Sequence, residues 1–394
     1  MSIWSVIFWA SLFLVCYSYV GYGILLFFVI RVKRLLQGNS SRRKNSFEPA
    51  VTFLVAAYNE EDFIAEKVAN TLALSYPSDK IQFIFVTDGS SDRTNEIISQ
   101  YPAVQVLYDP QRKGKMAAVN RAMKLVTTPF VVLSDANTIL NKESVALLMQ
   151  HFEDDRVGVV AGEKKVMPTT GAAEAQGEGM YWKYESLLKK WDAELYSVMG
   201  AAGELIAIRT ELYEHLPEDT ILDDFMLSFR INMKGYTVMY EPAAYAMETS
   251  SASLEDEYKR KVRIAAGGFQ SMGRLLPLLN PFRYPKITWQ YISHRVLRWT
   301  LAPLGLLLTL LSNFILILIK ENNIYIITGI AQLCFYAAAL GGYILTVKKI
   351  KARYLYIPFY FVFMNIAVYM GAIRFFRKRQ SAVWERAQRS IAVQ

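Results

Sequence analysis

Phe130-Val-Val-Leu-Ser-Asp135 decides the fold, together with the similar run Ile81-Gln-Phe-Ile-Phe-Val-Thr-Asp88. Each run is apolar, is rich in β-branched and aromatic residues, and ends in an acid. Short runs of this kind alternate with helix-type segments from residue 51 to about residue 166. This alternation predicts an α/β domain with a mostly parallel sheet and helices on both faces. Because ligands of such sheets bind beyond the carboxyl ends of the strands, the two acids predict one shared site.

The secondary structure predicted from this pattern changes in character along the chain. The first part predicts the strands Val51–Ala57, Ile81–Asp88, Val104–Tyr108, Phe130–Asp135 and Val157–Ala161. Beyond about residue 171 the pattern predicts the helices Glu174–Tyr196, Asp223–Met233 and Leu254–Ala266 and the strands Gly203–Arg209 and Thr237–Glu241. No G-x-G-x-x-G motif follows the first strand, which argues against a dinucleotide-binding Rossmann domain.

Composition argues against several other classes of protein. The chain has 394 residues, 53% of them hydrophobic, and a net charge of +9. Lys and Arg are crowded beside the apolar segments, which is typical of membrane topology rather than of a nucleic-acid surface, so no nucleic-acid partner is expected. The two cysteines lie in apolar runs and the three histidines are scattered, so neither a disulfide framework nor a zinc site is predicted.

Long apolar segments flank the α/β pattern and predict a protein embedded in a lipid bilayer. Basic residues follow the first segment, so its carboxyl end and the α/β domain are expected on the cytoplasmic side. The predicted organisation is an N-terminal transmembrane helix at 1–30, a basic linker at 31–48, a cytoplasmic domain at 49–270, an interfacial segment at 271–295, a C-terminal membrane region at 296–376 and a basic tail at 377–394. The expected location is an inner (plasma) membrane, with several spans.

The last apolar segment, 355–376, leaves two topologies open. Lys and Arg stand at both of its ends, so that both ends favour the cytoplasm. Its apolar length favours a span, whereas Pro358 and Asn365 are compatible with an interfacial or re-entrant segment. The C-terminal membrane region is therefore predicted to contain two or three spans, of which Val296–Ile319 and Ile324–Val347 are the first two.

Six short motifs carry the chemistry, and each also has a plain structural explanation. The motifs are Ala56-Ala-Tyr-Asn-Glu60, Asp88-Gly-Ser-Ser-Asp92, Arg112-Lys-Gly-Lys115, Asp135-Ala-Asn137, Leu222-Asp-Asp-Phe225 and Arg260-Lys-Val-Arg263. Strand-end acids and a basic helix start suit a nucleotide and its metal ion. Helix capping, a solvated turn or a basic face against lipid headgroups would account for the same residues, and these interpretations stay open.

In this order and spacing the motifs resemble those of the membrane-bound family 2 glycosyltransferases with a GT-A fold, which include cellulose, hyaluronan and poly-N-acetylglucosamine synthases. The resemblance covers residues from about 49 to 268. It implies a GT-A nucleotide-diphospho-sugar transferase domain and an inverting, metal-dependent hexosyl- or N-acetylhexosaminyltransferase of exopolysaccharide biosynthesis. The implied donor is a nucleotide sugar, with UDP as the expected nucleotide. The implied acceptor is a growing polysaccharide or a lipid-linked saccharide.

The resemblance assigns the donor site and the metal site to particular residues. Those implied in binding the nucleotide sugar are Ala56, Tyr58, Glu60, Asp88, Lys115, Asp135, Arg260 and Arg263. Tyr58 and Glu60 suit the base and ribose, and Lys115 would lie near the diphosphate. Asp135 and Asn137 match the D-x-D position, with Asn in place of the second Asp. They imply a site for Mg²⁺ or Mn²⁺ made from a carboxylate and a carbonyl oxygen.

The acidic pair Asp223 and Asp224 matches the acids that hold the catalytic base in the resembled family. Asp224 is the implied base, because a sugar hydroxyl is a poor nucleophile until a positioned carboxylate takes its proton. Asp223 beside it could raise the pKa of one of the two acids. Gly203 and Glu204 would lie near the acceptor, where a glycine allows close approach.

Two departures from the family pattern concern the acceptor. Arg260 and Ile264 replace the glutamine and the tryptophan of the Q-x-x-R-W motif, which puts long-chain processivity in question. Trp384 and Arg386 resemble the W-x-x-R gating segment of hyaluronan-type synthases, although a juxtamembrane anchor explains Trp384 equally well.

Two other functions compete with transfer: a membrane transporter or channel, and a scaffold with a degenerate transferase domain. Because few spans are available for a translocation pore, it also stays open whether export of the product needs an oligomer or a partner protein.

Overall fold

The computed structural model describes residues 2–37, 47–167, 174–249, 253–348, 350 and 353–379. These residues divide into two compact units. A sheet unit combines residues 47–167 with residues 192–249, and a helical unit combines residues 2–36 and 174–191 with the described residues from 253 to 379. Segments 174–191 and 253–270, which lie inside the domain predicted at 49–270, thus belong to the helical unit.

The sheet unit is built on one mixed sheet of eight strands. The strands are β1 Val51–Ala57, β2 Ile81–Asp88, β3 Val104–Asp109, β4 Phe130–Asp135, β5 Ile139–Leu140, β6 Val157–Val166, β7 Leu205–Arg209 and β8 Thr237–Glu248. Their order is β3-β2-β1-β4-β7-β6-β8-β5. Neighbours are parallel from β3 to β4 and between β6 and β8, whereas β7 is antiparallel to β4 and β6, and β5 to β8. The predicted α/β class is confirmed, with β7 as an antiparallel insertion.

Three strands, β1, β2 and β4, have the predicted bounds, because each is a continuous β-type run with a buried carboxyl-terminal half. β6 and β8 run further than predicted, to Val166 and Glu248. Glu163–Lys165 in β6 and Glu241-Pro242 in β8 interrupt the apolar pattern, but the two backbones still pair across a register shift between Gly162 and Glu163. The residues beyond the predicted ends of these strands are thus part of the sheet rather than of loops.

The helices are α1 Ile3–Cys16, α2 Tyr22–Gln37, α3 Ile64–Leu72, α4 Thr94–Ser99, α5 Lys115–Met123, α6 Ser144–Met149, α7 Glu174–Leu195, α8 Asp223–Met233, α9 Leu254–Arg274, α10 Pro285–Tyr291, α11 Leu297–Trp299, α12 Leu301–Leu318, α13 Ile324–Val347 and α14 Arg353–Phe376. In the sheet unit, α3 and α6 pack on the sheet through Ile64, Val68 and Leu148, which share a buried core with Val55 and Val132. Burial of such side chains stabilises the fold by about 1.5–3 kcal/mol each.

The helical unit contains the apolar segments. Among the described residues, four helices are long and apolar enough to cross a membrane: Ile3–Leu36, Leu301–Leu318, Ile324–Val347 and Tyr354–Phe376. The first of them joins α1 to α2 through a π-helical turn, Tyr17–Gly21. The predicted interfacial segment 271–295 contains a 3₁₀ turn, Leu276–Leu279, and α10. The predicted membrane boundaries, and the choice between two and three spans in 296–376, stay predictions.

Candidate active site

The strand ends that carry the predicted donor residues meet at one edge of the sheet. β1 lies between β2 and β4 and is parallel to both, so the three strands end side by side. Ala56 stands opposite Asp135 on β4, and the next residue, Ala57, stands opposite Thr87 on β2. The carboxyl-edge arrangement predicted for Asp88 and Asp135 is therefore present in the fold.

Lys115 links two of the acids in a cleft at this edge. Its Nζ lies 2.8 Å from Asp135 Oδ1 and 3.2 Å from Asp223 Oδ2. The cleft is also lined by Ala56, Gly203 and Asp224. Desolvation works against the charge of Lys115, but Asp135 and Asp223 outweigh it and raise the lysine pKa. Burial, followed by the neighbouring acids, raises the pKa of Asp135 despite the nearby ammonium group. The cleft thus brings three acids to one fixed cation.

Asp224 lies in the same cleft at the start of α8, against the backbone of Gly203. A β-carbon built on Gly203 would stand 3.3 Å from Asp224 Oδ2, so only glycine leaves the carboxylate unhindered. Burial and then the charge of Asp223 raise the pKa of Asp224 to about 7, although Lys115 works in the opposite direction. An acid with a pKa near the working pH can accept a proton and release it again, as a general base must.

A second hollow adjoins the cleft and is lined by Ala56, Tyr58, Asp88, Arg112 and Lys115, among others. The Arg112 guanidinium lies over the Tyr58 ring, 3.9 Å from its centre. A flat cation on an aromatic face is a stacking arrangement that a planar base could join or replace. The hollow and the cleft share Ala56 and Lys115, so a ligand that fills both would pass beside the lysine.

Asp88 organises the loop that leads to Lys115. Its Oδ1 accepts a hydrogen bond from the Lys113 backbone N–H at 3.0 Å, and its Oδ2 accepts one from the Gly114 N–H at 2.6 Å. Gly114 has a φ of 100°, a value that favours glycine, immediately before α5 begins at Lys115. Asp88 therefore fixes the start of the helix that carries the central lysine. The part that the resemblance gives Asp88 in binding the nucleotide sugar stays a prediction.

Glu60 and Glu204, two further predicted acids, are held by neighbouring groups. Glu60 is buried, and its backbone N–H donates to Thr94 Oγ1 at 2.8 Å. Glu204 pairs with the buried Lys164 at 2.5 Å, and Lys164 also pairs with Glu248. Burial opposes the charge of Glu204, but Lys164 prevails and lowers the pKa of that carboxyl. Glu204 follows Gly203 in the chain, yet its side chain forms an ion pair with Lys164 on β6.

Four predicted residues belong to the helical unit or lie outside the described chain. Arg260 and Arg263 are on α9 in the helical unit, where Arg260 pairs with Glu257 at 2.8 Å. Trp384 and Arg386 lie outside the described residues. The roles predicted for all four in binding the donor or gating the acceptor stay predictions.

Sequence reasoning missed Lys67, which is completely buried behind the Asp135 loop. Its Nζ donates to Ser134 Oγ at 2.8 Å, to the Thr138 carbonyl at 3.0 Å and to Thr138 Oγ1 at 3.1 Å. Burial lowers the pKa of Lys67 to about 7, against the opposing effect of Asp135. The sequence contains a signal for it, because Lys67 falls on the buried face of α3 with Ile64 and Val68, where an apolar residue is expected.

The side chains of the cleft fit a divalent cation whose coordination shell is completed by the phosphates of a bound substrate. Within the described residues, no group of three or more His, Cys, Asp or Glu side chains could hold a metal ion by itself. Asp135 and Asp223 nevertheless share a single ammonium group, and the buried Asp135 gains from further positive charge. Asn137, two residues after Asp135 in the chain, is also buried. Mg²⁺ and Mn²⁺ are commonly held by one or two carboxylates together with substrate phosphates, and this donor set suits that arrangement.

Comparisons with known proteins concern the family and the fold of the chain. The family model described as glycosyltransferase like family 2 matches residues 49–267. A poly-beta-1,6-N-acetyl-D-glucosamine synthase of Staphylococcus aureus (strain MSSA476) is 26% identical over 314 residues, which are 74% of each chain. A synthase of the same description from Staphylococcus epidermidis is 23% identical over 291 residues, which are 68% of this chain and 69% of the relative.

Among solved structures, a mannosyltransferase has a similar fold over most of the chain. It is the mannosyltransferase PcManGT from Pyrobaculum calidifontis in complex with GDP-Man and Mn²⁺, with a TM-score of 0.72 and 20% identity. The match covers 95% of this chain and 100% of the other. At that identity the likeness concerns the fold alone, whereas the family model covers more than half of the sequence. The chain accordingly belongs to the glycosyltransferase like family 2.

Proposed function

We propose that this protein transfers a sugar, with inversion at the anomeric carbon, from a nucleoside diphosphate sugar to a growing polysaccharide or a lipid-linked saccharide. The observation that carries the proposal is the shared cleft, in which Asp224, with a pKa near 7, lies beside the Lys115–Asp135 pair. A proton acceptor and a diphosphate-binding cation are the two parts that a single displacement needs on opposite sides of the sugar.

Asp224 acts on the acceptor. Its carboxylate takes the proton of the acceptor hydroxyl as that oxygen forms a bond to the anomeric carbon of the donor. The bond between the anomeric carbon and the diphosphate oxygen breaks, and its electron pair leaves with the nucleoside diphosphate. One displacement of this kind inverts the anomeric configuration and forms no glycosyl-enzyme. Gly203 keeps the space beside Asp224 open for the acceptor.

Lys115 acts on the donor. Its ammonium group is already fixed by Asp135 and Asp223, so little ordering remains when a diphosphate binds. Asp135, with Asn137, would hold Mg²⁺ or Mn²⁺ against the donor phosphates, and the ion would neutralise the negative charge that develops there. Tyr58 and Arg112 offer the adjoining hollow a stacking surface for the base.

The relatives narrow the substrates. The Staphylococcus matches are described as synthases of poly-N-acetylglucosamine and cover 68–74% of this chain, which supports a polysaccharide acceptor and an N-acetylhexosaminyl donor. UDP is the nucleotide that the sequence resemblance implies. The mannosyltransferase of the same fold was found with GDP-Man and Mn²⁺, which supports a divalent metal and keeps GDP as the competing nucleotide.

The location is an inner membrane, with the sheet unit in the cytoplasm. Four apolar helices of suitable length support a multi-pass protein. Basic residues at the end of the first helix, among them Arg31, Lys33 and Arg34, support a cytoplasmic side for the domain that comes after it in the chain. In this arrangement the catalytic domain corresponds to the predicted segment 49–270, of which 174–191 and 253–270 fall in the helical unit. The C-terminal membrane region supplies two or three spans.

A donor screen tests the proposal. Purified protein in lipid is mixed with UDP- and GDP-sugars, Mn²⁺ or Mg²⁺ and a membrane extract as acceptor source, and release of nucleoside diphosphate is measured. The proposal expects release with one donor and a sized saccharide product. The proposal would be contradicted if none of the donors gave nucleoside diphosphate release, although the same extract supports transfer by a known synthase.

A further inference from the structure

We propose that Lys67 is a positioning residue for the transfer reaction, and that its buried ammonium group holds in register the two loops that place Asp135 and Asp224. The inference rests on the proposed function, because it concerns how the two acids come to face one substrate. The hydrogen bonds of Lys67 go to Ser134 and Thr138 rather than to either acid, and Lys67 lies outside the six motifs.

The first loop is Ser134 to Thr138, which carries Asp135 and Asn137. Lys67 donates to Ser134 Oγ on one side of Asp135 and to the carbonyl and hydroxyl of Thr138 on the other side. The Thr138 hydroxyl in turn donates to the Asp135 backbone carbonyl at 2.9 Å. One ammonium group thus fixes the residue before Asp135, a residue after it and, through Thr138, the backbone of Asp135 itself.

The second loop is the one that precedes β7 and carries Gly203. Ser134 Oγ accepts from Lys67 and donates to the Glu204 carbonyl at 3.1 Å. Gly203, one residue earlier, lies against the Asp224 carboxylate. The hydrogen bonds therefore run from Lys67 through Ser134 to the backbone that limits where Asp224 can stand. The spacing between the two acids depends on this connection.

A lysine at position 67 is unfavourable for folding stability, so stability alone does not explain why it is there. The side chain is completely buried, and its ammonium group donates to three uncharged oxygens. Burying a charge without a direct carboxylate partner is costly, and an apolar residue of similar length would join Ile64 and Val68 in the core. An ammonium group, however, presents three donors to three acceptors on the Asp135 loop and, through Ser134, reaches the Gly203 loop, which no apolar residue can do.

The test compares Lys67→Met with Asn70→Ala. Asn70 is one turn further along the same helix and makes two hydrogen bonds of 2.9 Å to the backbone of Leu140, outside both loops. Its loss is a matched structural defect. For each variant, kcat, the donor KM and the thermal midpoint are measured, together with hydrogen–deuterium exchange of the backbone amides.

In Lys67→Met we expect kcat to fall about 10- to 100-fold with a donor KM within about threefold of the wild type, since small misplacement of reacting groups affects the chemical step most. Exchange should quicken at 134–138 and 202–205. Asn70→Ala should quicken exchange near Leu140 and keep kcat within about twofold. If Lys67→Met matches Asn70→Ala in kcat and leaves both loops protected, the proposal is overturned.

Two provisions keep the result decisive. If Lys67→Met does not fold, Ser134→Ala removes the hydroxyl that joins Lys67 to the Glu204 carbonyl and should quicken exchange at 202–205. Unchanged exchange there would contradict the inference. If the wild type transfers no sugar from any donor, the proposed function fails by itself, while the exchange comparison still decides whether Lys67 holds the two loops.

Discussion

Gly203 lies so close to Asp224 that a β-carbon on the glycine would stand 3.3 Å from Oδ2 of the acid. The relationship joins two segments that are distant in sequence, the loop before β7 and the first turn of α8. It gives the Gly200-Ala-Ala-Gly-Glu204 segment a physical purpose at the cleft, because the side chain that is missing at Gly203 is what leaves room beside the acid. The position and charge of Asp224 should therefore govern how the protein responds to substitution and to pH.

Gly203→Ala should impair transfer more than stability. The added methyl group would make a tighter contact than usual with Asp224, so the carboxylate must shift by a few tenths of an ångström. We expect kcat to fall roughly tenfold, because small displacements of a reacting group are costly. Steady-state kinetics beside thermal unfolding measures this. Gly273→Ala, where the β-carbon meets nothing within 4 Å, is the control and should leave kcat unchanged.

The pH dependence should report the raised pKa of Asp224. A base works only when deprotonated, so kcat/KM should be level above about pH 7 and fall about tenfold per unit below it. Asp223→Asn removes a charge that raises the pKa of Asp224, and the falling limb should move to lower pH. Asp155→Asn, at an exposed position, should leave the limb in place. A limb that stays in place in Asp223→Asn would show that the two acids are not coupled.

Lys115→Met should move the same limb in the opposite direction. The ammonium group lowers the pKa of Asp224, so its loss should push the falling limb of kcat/KM to higher pH. Affinity for nucleoside diphosphate should fall about 10- to 100-fold, as expected when a charge-assisted hydrogen bond is lost. Calorimetric titration with the diphosphate measures it. Lys113→Met, whose half-exposed side chain faces Asp109, should bind normally, and equal losses in both variants would count against a special role for Lys115.

Asp135→Ala should weaken nucleotide binding only when metal is present. If Asp135 holds Mg²⁺ or Mn²⁺ against the donor phosphates, diphosphate affinity with metal should fall about 10- to 100-fold, as for loss of a metal ligand or its support. Affinity without metal should not fall, because Lys115 is then released to the phosphates. Calorimetry with and without Mn²⁺ decides this. Asp79→Ala, near the amino end of β2, is the control, and an unchanged metal effect in Asp135→Ala would refute the assignment.

The fold is predictable from sequence where burial is simple. The predicted bounds of β1, β2 and β4 are correct because these strands are apolar runs between turn signals. α8, predicted from Asp223 to Met233, is also correct at both ends. The predicted ends of β6 and β8 come too early because the charged run Glu163–Lys165 interrupts the apolar pattern in β6 and Glu241-Pro242 interrupts it in β8. A single sequence does not show that Lys164 is paired with Glu204 and Glu248 across the sheet.

The sequence predicts the acids of the candidate site, but it does not predict the groups that hold the site in position. Asp135 and Asp224 stand out because a strand-end acid and an acidic pair need a reason, and the fold brings both to one cleft. Lys67 contributes through three hydrogen bonds to residues 67 and 71 positions away, which no local pattern encodes. The two hydrogen bonds that Asp88 accepts from the backbone N–H groups of Lys113 and Gly114 are likewise not predictable from the sequence.

The most direct test of the proposed mechanism is the Asp224→Asn variant, measured for both donor binding and transfer. The substitution keeps the size of the side chain and removes its negative charge together with its ability to take a proton. We predict wild-type affinity for the nucleotide sugar and its metal, a normal thermal midpoint, and a loss of transfer of at least about 100-fold, the usual share of a general base. Transfer at a rate comparable to the wild type would contradict the mechanism, because the cleft would then contain no base at Asp224.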